Sequence, residues 1–306
     1  MSFRYRFCHR TRFKVINPLL LFFSIFFLLN CTRRPVEETA RSGQMTLSVD
    51  RQLVDIARIQ ADMFSRYYPE AHIKCMPVSS TNSLKLLLEH SVRAALIEGQ
   101  PDSAEDSLFA KKKLSLRCEP IARDAIVCLV NSRNSAKTIS LEELDSLFFA
   151  RKKRGMTPII EDDYRLHSLF AASIGKKRTN LRAWRCRSNT ELIMRVSADT
   201  NAVAMLFSSS LDRGLNDIEL NSAKKPHNTR VLPLSRKSGR APAYLPTQQH
   251  IFEGNYPLVT TLYYVYYPGD ALAAGFGAWL GREGQKAFER SSFAPCKLVE
   301  RTIIIK

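Results

Sequence analysis

Pro120-Ile121-Ala122-Arg123-Asp124-Ala125-Ile126-Val127-Cys128-Leu129-Val130-Asn131 is the stretch on which the fold turns. Leu114 to Val130 reads as one long extended run with a single polar interruption, Arg123-Asp124. On its N-terminal side, Met45–Val49 alternates as a strand, and Asp50–Tyr68 has apolar residues near helical spacing with Pro69 just beyond. His72–Val78 reads as a second strand. Ser79-Ser80-Thr81-Asn82-Ser83, rich in N-cap residues, opens a helix from Leu84 to about Val92, and Ala94–Ile97 reads as a short buried strand. Asp102 and Glu105 have capping-box spacing before another helix. On the C-terminal side, strands at Thr157–Ile160, Ala202–Phe207, Arg230–Leu234 and Pro257–Tyr267 alternate with helices at Ser140–Phe149, Leu166–Ile174, Asn189–Ser197 and within Asp270–Ser291. Asn216–Asn228 is polar and reads as a surface excursion. Strands alternating with capped helices predict an α/β fold with mostly parallel sheets.

The composition agrees: 45% hydrophobic and 25% charged residues exclude wholesale disorder. A chain of 306 residues is long enough that two cores are expected rather than one. The first thirty residues carry five basic side chains, no acidic one, and the apolar run Leu19–Leu29 broken only by Ser24. As a helix that run would span about 17 Å, short of the roughly 30 Å of a bilayer core, so residues 1–30 read as a signal peptide. Leu28-Leu29-Asn30-Cys31 resembles a lipobox, which makes Cys31 the expected lipidation site and residues 31–43 a tether. The predicted location is the cell envelope, lipid-anchored and facing the periplasm or exterior. Without residues 1–30 the formal charge falls from +17 to +12.

Signatures of catalysis are missing from the sequence. There is no G-x-S-x-G, H-E-x-x-H or G-x-x-x-x-G-K-[ST], the six histidines are dispersed, and no two cysteines have C-x-x-C spacing. No enzyme activity, metal or cofactor is therefore expected. Glu161-Asp162-Asp163 reads as a solvated acidic turn and Gly275-Phe276-Gly277 as helix-entry packing. The basic runs Lys111–Lys113, Arg151–Arg154 and Lys176–Arg178 read as solvated ends, with no nucleic-acid signature beside them.

The ordered series of features resembles the phosphate-type substrate-binding lipoproteins of ABC importers, PstS-like proteins with the type II periplasmic binding fold. Thr46-Leu47-Ser48-Val49-Asp50 and Phe64–Pro69 match the family's opening. Pro120–Ala125 running into Cys128–Asn131 is similar to its crossover strand, leading to Ser140-Leu141-Glu142-Glu143-Leu144. Ala202–Leu206, Tyr256-Pro257-Leu258 with Leu262-Tyr263-Tyr264, and Gly284-Gln285-Lys286 through Phe293-Ala294-Pro295 resemble its closing motifs.

This resemblance implies a two-lobed periplasmic binding protein-like fold. Lobe I would be 44–124 plus 231–306 and lobe II 125–230, each a mostly parallel sheet flanked by helices, with a ligand cleft between them. It further implies a monomer that captures phosphate or another small oxyanion for an ABC permease and binds no nucleic acid. The alternative is a diverged binding-fold lipoprotein acting as an envelope sensor or interaction module without transport. The implied ligand residues are Asp50 and Arg51 on the first loop, and Ser79, Ser80, Thr81 and Asn82 at a helix N-terminus. Arg165, His167 and Ser168 would face them from the second lobe, where the family usually has a Ser-Gly-Thr or Ser-Ser-Thr cradle that this chain lacks. The family's acidic acceptor falls near Glu98, and Arg123 beside Asp124 is expected as a hinge ion pair.

Overall fold

The computed structural model describes residues 38–150, 155–221 and 228–298. The expected signal peptide and Cys31 lie outside the described residues. Gly43–Asp50 (β1) and Ala71–Val78 (β2) pair in parallel and are joined by Val54–Tyr67 (α1), which buries Ile56, Ala57 and Phe64 on one stripe. Ser80–Leu88 (α2) leads to Ala94–Glu98 (β3) on the other side of β1. Ser103–Lys111 (α3) starts at a complete capping box between Asp102 and Glu105. Arg117–Asn131 (β4) then runs the length of the molecule.

Beyond it come Ile139–Ser140 (β5), Leu141–Phe149 (α4, capping box Ser140/Glu143), Thr157–Glu161 (β6) and Tyr164–Ser173 (α5, capped by Asp163). Trp184–Cys186 (β7), Asn189–Ala198 (α6), Ala202–Phe207 (β8) and Ser208–Asn221 (α7) follow. The chain continues through Thr229–Val231 (β9), Leu234–Ser235 (β10), Ala243–Tyr244 (β11) and Gln248–Phe252 (α8). It ends with Val259–Tyr266 (β12), Ala271–Leu280 (α9), Gln285–Glu289 (α10) and Ala294–Pro295 (β13). The expected excursion over 216–228 is helical as far as Asn221.

The main sheet has the order β2-β1-β3-β12-β4-β8-β6-β7, with β9 and β13 also on β4. Its flanks are parallel, whereas β12 is antiparallel to both β3 and β4, and β8 to β4. The parallel neighbours β1, β2 and β3 are joined by crossover helices, whereas β12 and β8 return beside β4 in the opposite direction. β4 pairs with β12 through Ala125 and with β8 from Ile126 onward, so one strand serves two cores. One core gathers Ile126–Val130, Phe148, Ile160, Phe170, Ile193 and Met205. The other gathers Leu47, Val49, Phe64, Leu262, Tyr264, Phe276 and Phe288. A satellite of Leu84, Leu87, Ile97, Phe109 and Val265 packs α2 and α3 beside it. Leu232, Leu234, Ile251, Tyr256 and Leu258 also belong to the core of Ile126–Val130. The segment from Leu232 to Leu258 therefore sits with the second core, where the sequence reading assigns it to the first. The apolar pattern cannot show this, because it marks a residue as buried without saying in which core.

Gly275 lies inside α9 rather than at its entry. A Cβ there would stand 1.9 Å from the carbonyl oxygen of Ala40, so the segment 38–42 can cross the helix only over a glycine. Arg93 completes the attachment, holding Asp270 at 2.6 Å and pairing with Glu38. Gly275→Ala is expected to lift this segment, with a cost of about 1–3 kcal/mol. Limited trypsin cleavage after Arg41 checks it, and an unchanged cleavage rate contradicts the packing described.

Candidate functional site

The C-terminal ends of β1, β3 and β6 converge where the two cores meet, the usual place for a ligand in an open α/β sheet. Each strand ends in an acid: Asp50, Glu98 and Glu161. Asp50 is wholly buried, accepts hydrogen bonds from the Ser83 hydroxyl and, at 3.2 Å, from the Glu98 backbone N–H, and lies 3.7 Å from Arg165 Nε. Burial raises its pKa to about 7 despite the Arg165 charge, and Asp163 adds to the rise.

Arg165, in the first turn of α5, is 3% exposed. Its other guanidinium nitrogens cross to the first core, to Glu105 Oε1 at 2.8 Å and the Gln100 carbonyl at 3.4 Å, while its Nε–H makes no hydrogen bond. Tyr164 crosses beside it and donates to Asp102 at 2.6 Å, and Arg213 of α7 donates to the Arg51 carbonyl. These contacts hold the two sides of the cleft together.

A second acidic pair lies deeper. Glu98 and Asp124 are both buried and neighbour each other. Asp124 accepts from the Ser209 N–H at 3.2 Å, the Ser209 hydroxyl at 2.6 Å and the Ala125 N–H at 2.8 Å. Those donors leave burial only partly offset, and its pKa rises to about 6. Burial followed by the adjacent Asp124 charge pushes the Glu98 pKa well up, Thr260 opposing this only weakly, so Glu98 carries the proton of the pair. Glu161 is also driven to about 7, by burial first and then by Asp163, and its Oε2 has no partner. The buried Nε2 of Gln52 is likewise unpartnered.

Of the residues singled out in the sequence, Asp50, Ser80 and Arg165 are buried in this cluster, and Arg51, Thr81 and Asn82 are exposed at its rim. Ser79 and Thr81 share a 3.1 Å hydroxyl contact. His167 turns away: its ring Nε2 pairs with the Glu161 carbonyl at 2.8 Å, bracing α5 on β6, and burial keeps the ring neutral. Ser168, one residue on, is half-buried. Two expectations change. Glu161-Asp162-Asp163 is not wholly a solvated turn: Asp162 is exposed, but Glu161 is half-buried with its Oε2 shielded from solvent, and Asp163 caps α5 through the Leu166 N–H at 2.9 Å. Arg123 does not pair with Asp124; it donates to the Phe252 carbonyl at 2.8 Å and lies over the Phe252 ring.

The sequence reading overlooks Glu161 and Asp124 as site residues. The available signal was positional, because both Ala94-Ala95-Leu96-Ile97-Glu98 and Pro158-Ile159-Ile160-Glu161 put a carboxylate at the C-terminal end of a buried strand. Among the described residues no group of His, Cys, Asp and Glu could hold a metal ion, and the five described cysteines are free thiols. Two open cavities of about 640 and 590 Å³ lie away from the cluster, one along His72, His90 and Arg93 and one beside Glu142, Leu147 and Met156.

A family model described as PBP superfamily domain matches residues 35–283. Among solved structures, a phosphate ABC transporter substrate-binding protein with bound phosphate from Clostridium perfringens aligns at 14% identity and a TM-score of 0.66, over 83% of this chain and 100% of that one. An ABC-type phosphate transport receptor from Vibrio cholerae aligns at 16% identity and 0.62, over 83% and 100%. PstS from Borrelia burgdorferi aligns at 15% and 0.55, over 84% and 100%. No curated protein matches the sequence.

Proposed function

The chain belongs to the PBP superfamily domain family, and on that footing we propose that it is a solute-binding protein that captures a small oxyanion, phosphate first, for an ABC importer, without catalysis. The observation that carries this reading is Arg165, a guanidinium buried between the two cores whose Nε–H faces Asp50 at 3.7 Å and makes no hydrogen bond. An oxyanion is the ligand that this donor fits, because a charge-assisted hydrogen bond replaces the water the anion loses. The start of α2, with Ser79 and Thr81, adds hydroxyls and the positive end of a helix from the other side. Closure of the two lobes about β4 belongs to the same proposal, as does anchoring through Cys31, which rests on the charged-then-apolar layout of residues 4–29.

The carboxylates around Arg165 set the conditions for binding. Ionised Asp50 competes with the anion for Arg165, whereas protonated Asp50 turns from acceptor to donor. With a pKa of about 7, the protonated fraction rises about tenfold between pH 8 and pH 6. The affinity for an anion of constant charge is expected to rise by a similar factor. Calorimetry with sulfate and phosphate at the two pH values tests this. Absence of heat with both anions at millimolar concentration removes the oxyanion reading, and equal or weaker sulfate binding at pH 6 removes the role given to Asp50.

A further inference from the structure

Solute binding does not account for the charge of this chain. The cluster between the cores is acidic, yet the whole sequence carries +17. Part of that surplus is concentrated between Lys176 and Arg187. Lys176, Lys177, Arg178, Arg182, Arg185 and Arg187 follow one another with no acidic residue between them, and all six are exposed. The stretch ends on β7, the last strand in the sheet order, with β6 as its partner. In the middle stands Trp184, 62% exposed, and α6, packed on β7, exposes Met194.

The counter-charges at this edge are few. Asp145 lies 3.1 Å from Lys176 and Asp162 3.7 Å from Arg185, while Glu191 accepts the Arg187 backbone N–H at 2.9 Å and pairs with Arg195 of its own helix at 3.0 Å. Arg178 is stacked over Tyr164. The patch therefore keeps a net positive charge. A cavity of about 400 Å³ opens into it, lined by the cations Lys176 and Arg182, by Asn180 and Phe149, and by Asp145, the partner of Lys176.

We propose that this edge is a docking surface for an anionic membrane. Cations near an anionic leaflet draw a protein to the surface within about a Debye length, and an exposed Trp among them sits naturally at the headgroup level. The Lys176–Arg182 cavity is shaped to take a phosphate headgroup, and Trp184 to enter the interface beside it. Nucleic acid is the other large polyanion with this charge, but strand binding calls for a succession of stacking aromatics, and Trp184 is the only aromatic in the 176–187 stretch. The apolar run Leu19–Leu29 also directs this chain to a membrane rather than to nucleic acid.

The test uses Glu37–Lys306, a compact unit that holds all three apolar clusters and lacks the apolar leader. It is sedimented with vesicles of phosphatidylcholine alone and with vesicles containing about a third phosphatidylglycerol, at low and at physiological salt. Binding to the anionic vesicles alone is expected, weakening with salt. Tryptophan emission should shift to the blue, a change reported by Trp184 because Trp279 is buried. Each cation contributes about a fivefold gain near an anionic surface, so Arg182→Gln/Arg185→Gln/Arg187→Gln is expected to bind about a hundredfold more weakly. If that variant loses its thermal transition, Lys176→Gln/Lys177→Gln, outside the strand, takes its place with a loss of about twenty-fivefold. Equal binding to the two vesicle types, or wild-type binding by the folded variant, overturns the proposal. So does tighter binding to a DNA duplex than to anionic vesicles at the same salt.

Discussion

Arg165→Met is expected to remove about 3–5 kcal/mol of stability at pH 8 and to abolish anion binding. The substitution keeps the bulk of the side chain and deletes the charge. Asp50, wholly buried, and Glu105 then lose their common cation, and a buried charge without a partner is among the most costly single defects. The hydrogen bonds from Ser83 and the Glu98 N–H remain, but neither carries a positive charge. The sign with pH distinguishes this account from simple loss of packing. Arg165 lowers the Asp50 pKa, so without it Asp50 takes up a proton at still higher pH, and the deficit should shrink as the pH is lowered toward 6. Denaturant unfolding of wild type and variant at pH 8 and pH 6 measures it. A deficit below about 1 kcal/mol at pH 8, or one that does not change with pH, contradicts the description of Arg165 as the counter-charge of this cluster.

The second large effect belongs to the unliganded protein, which should be more stable in mild acid than in mild base. Asp50 and Glu161 have folded-state pKa values of about 7 and Asp124 of about 6, all above their ordinary values near 4. In the interval between the two values the folded state holds a proton that the unfolded state has released, so stability falls as the pH rises through it. A rise of about three units corresponds to about 4 kcal/mol for Asp50 taken alone, and the groups do not add because Asp163 couples Asp50 to Glu161. His167 acts in the opposite sense: buried neutral, with a lowered pKa, it penalises the folded state once the pH drops below the ordinary histidine range. One histidine does not outweigh the buried carboxyls, so stability is expected to go on rising below pH 6 until the pH nears their ordinary range, with a fall in Tm of about 5–10 °C on going from pH 6 to pH 8. Thermal melts across this range, without phosphate or sulfate, check it; a flat profile or a rise toward pH 8 contradicts the burial of these carboxylates.

Much of the architecture was legible because it is written in local chemistry. The long extended run Leu114–Val130 marked β4, the Asp102/Glu105 spacing marked a helix start that the structure forms as a complete capping box, and the helix expected from Ser140 begins there. The antiparallel entry of β12 was not legible, because strand direction follows from the path of the connection and not from the composition of the strand. For the site, the family resemblance put Asp50 and Arg165 among the expected ligand residues, and the structure buries both in one cluster. Glu161 was misread because two exposed-looking acids follow it, and nothing local says that the chain turns inward at one of three consecutive carboxylates. His167 looked equally available for a ligand; only the fold shows that its ring closes on the Glu161 carbonyl.

The division of the two cores along the chain has a consequence in time. The core around Ile126–Val130 draws nearly all of its residues from one continuous stretch, Ala125 to Leu258. The other joins Leu47 and Val49 to Leu262, Phe276 and Phe288, and seals the junction where Gln60 donates to the Gly284 carbonyl at 2.8 Å and accepts from Trp279 Nε1 at 3.2 Å. A chain made from its N-terminus therefore finishes the later core first. β1 and β3, synthesised early, must wait for β12, which at 5–20 residues per second is a delay of roughly 10–30 s. For that interval two apolar strands are exposed without their cover, and this half of the protein is where a nascent chain would need a holding chaperone.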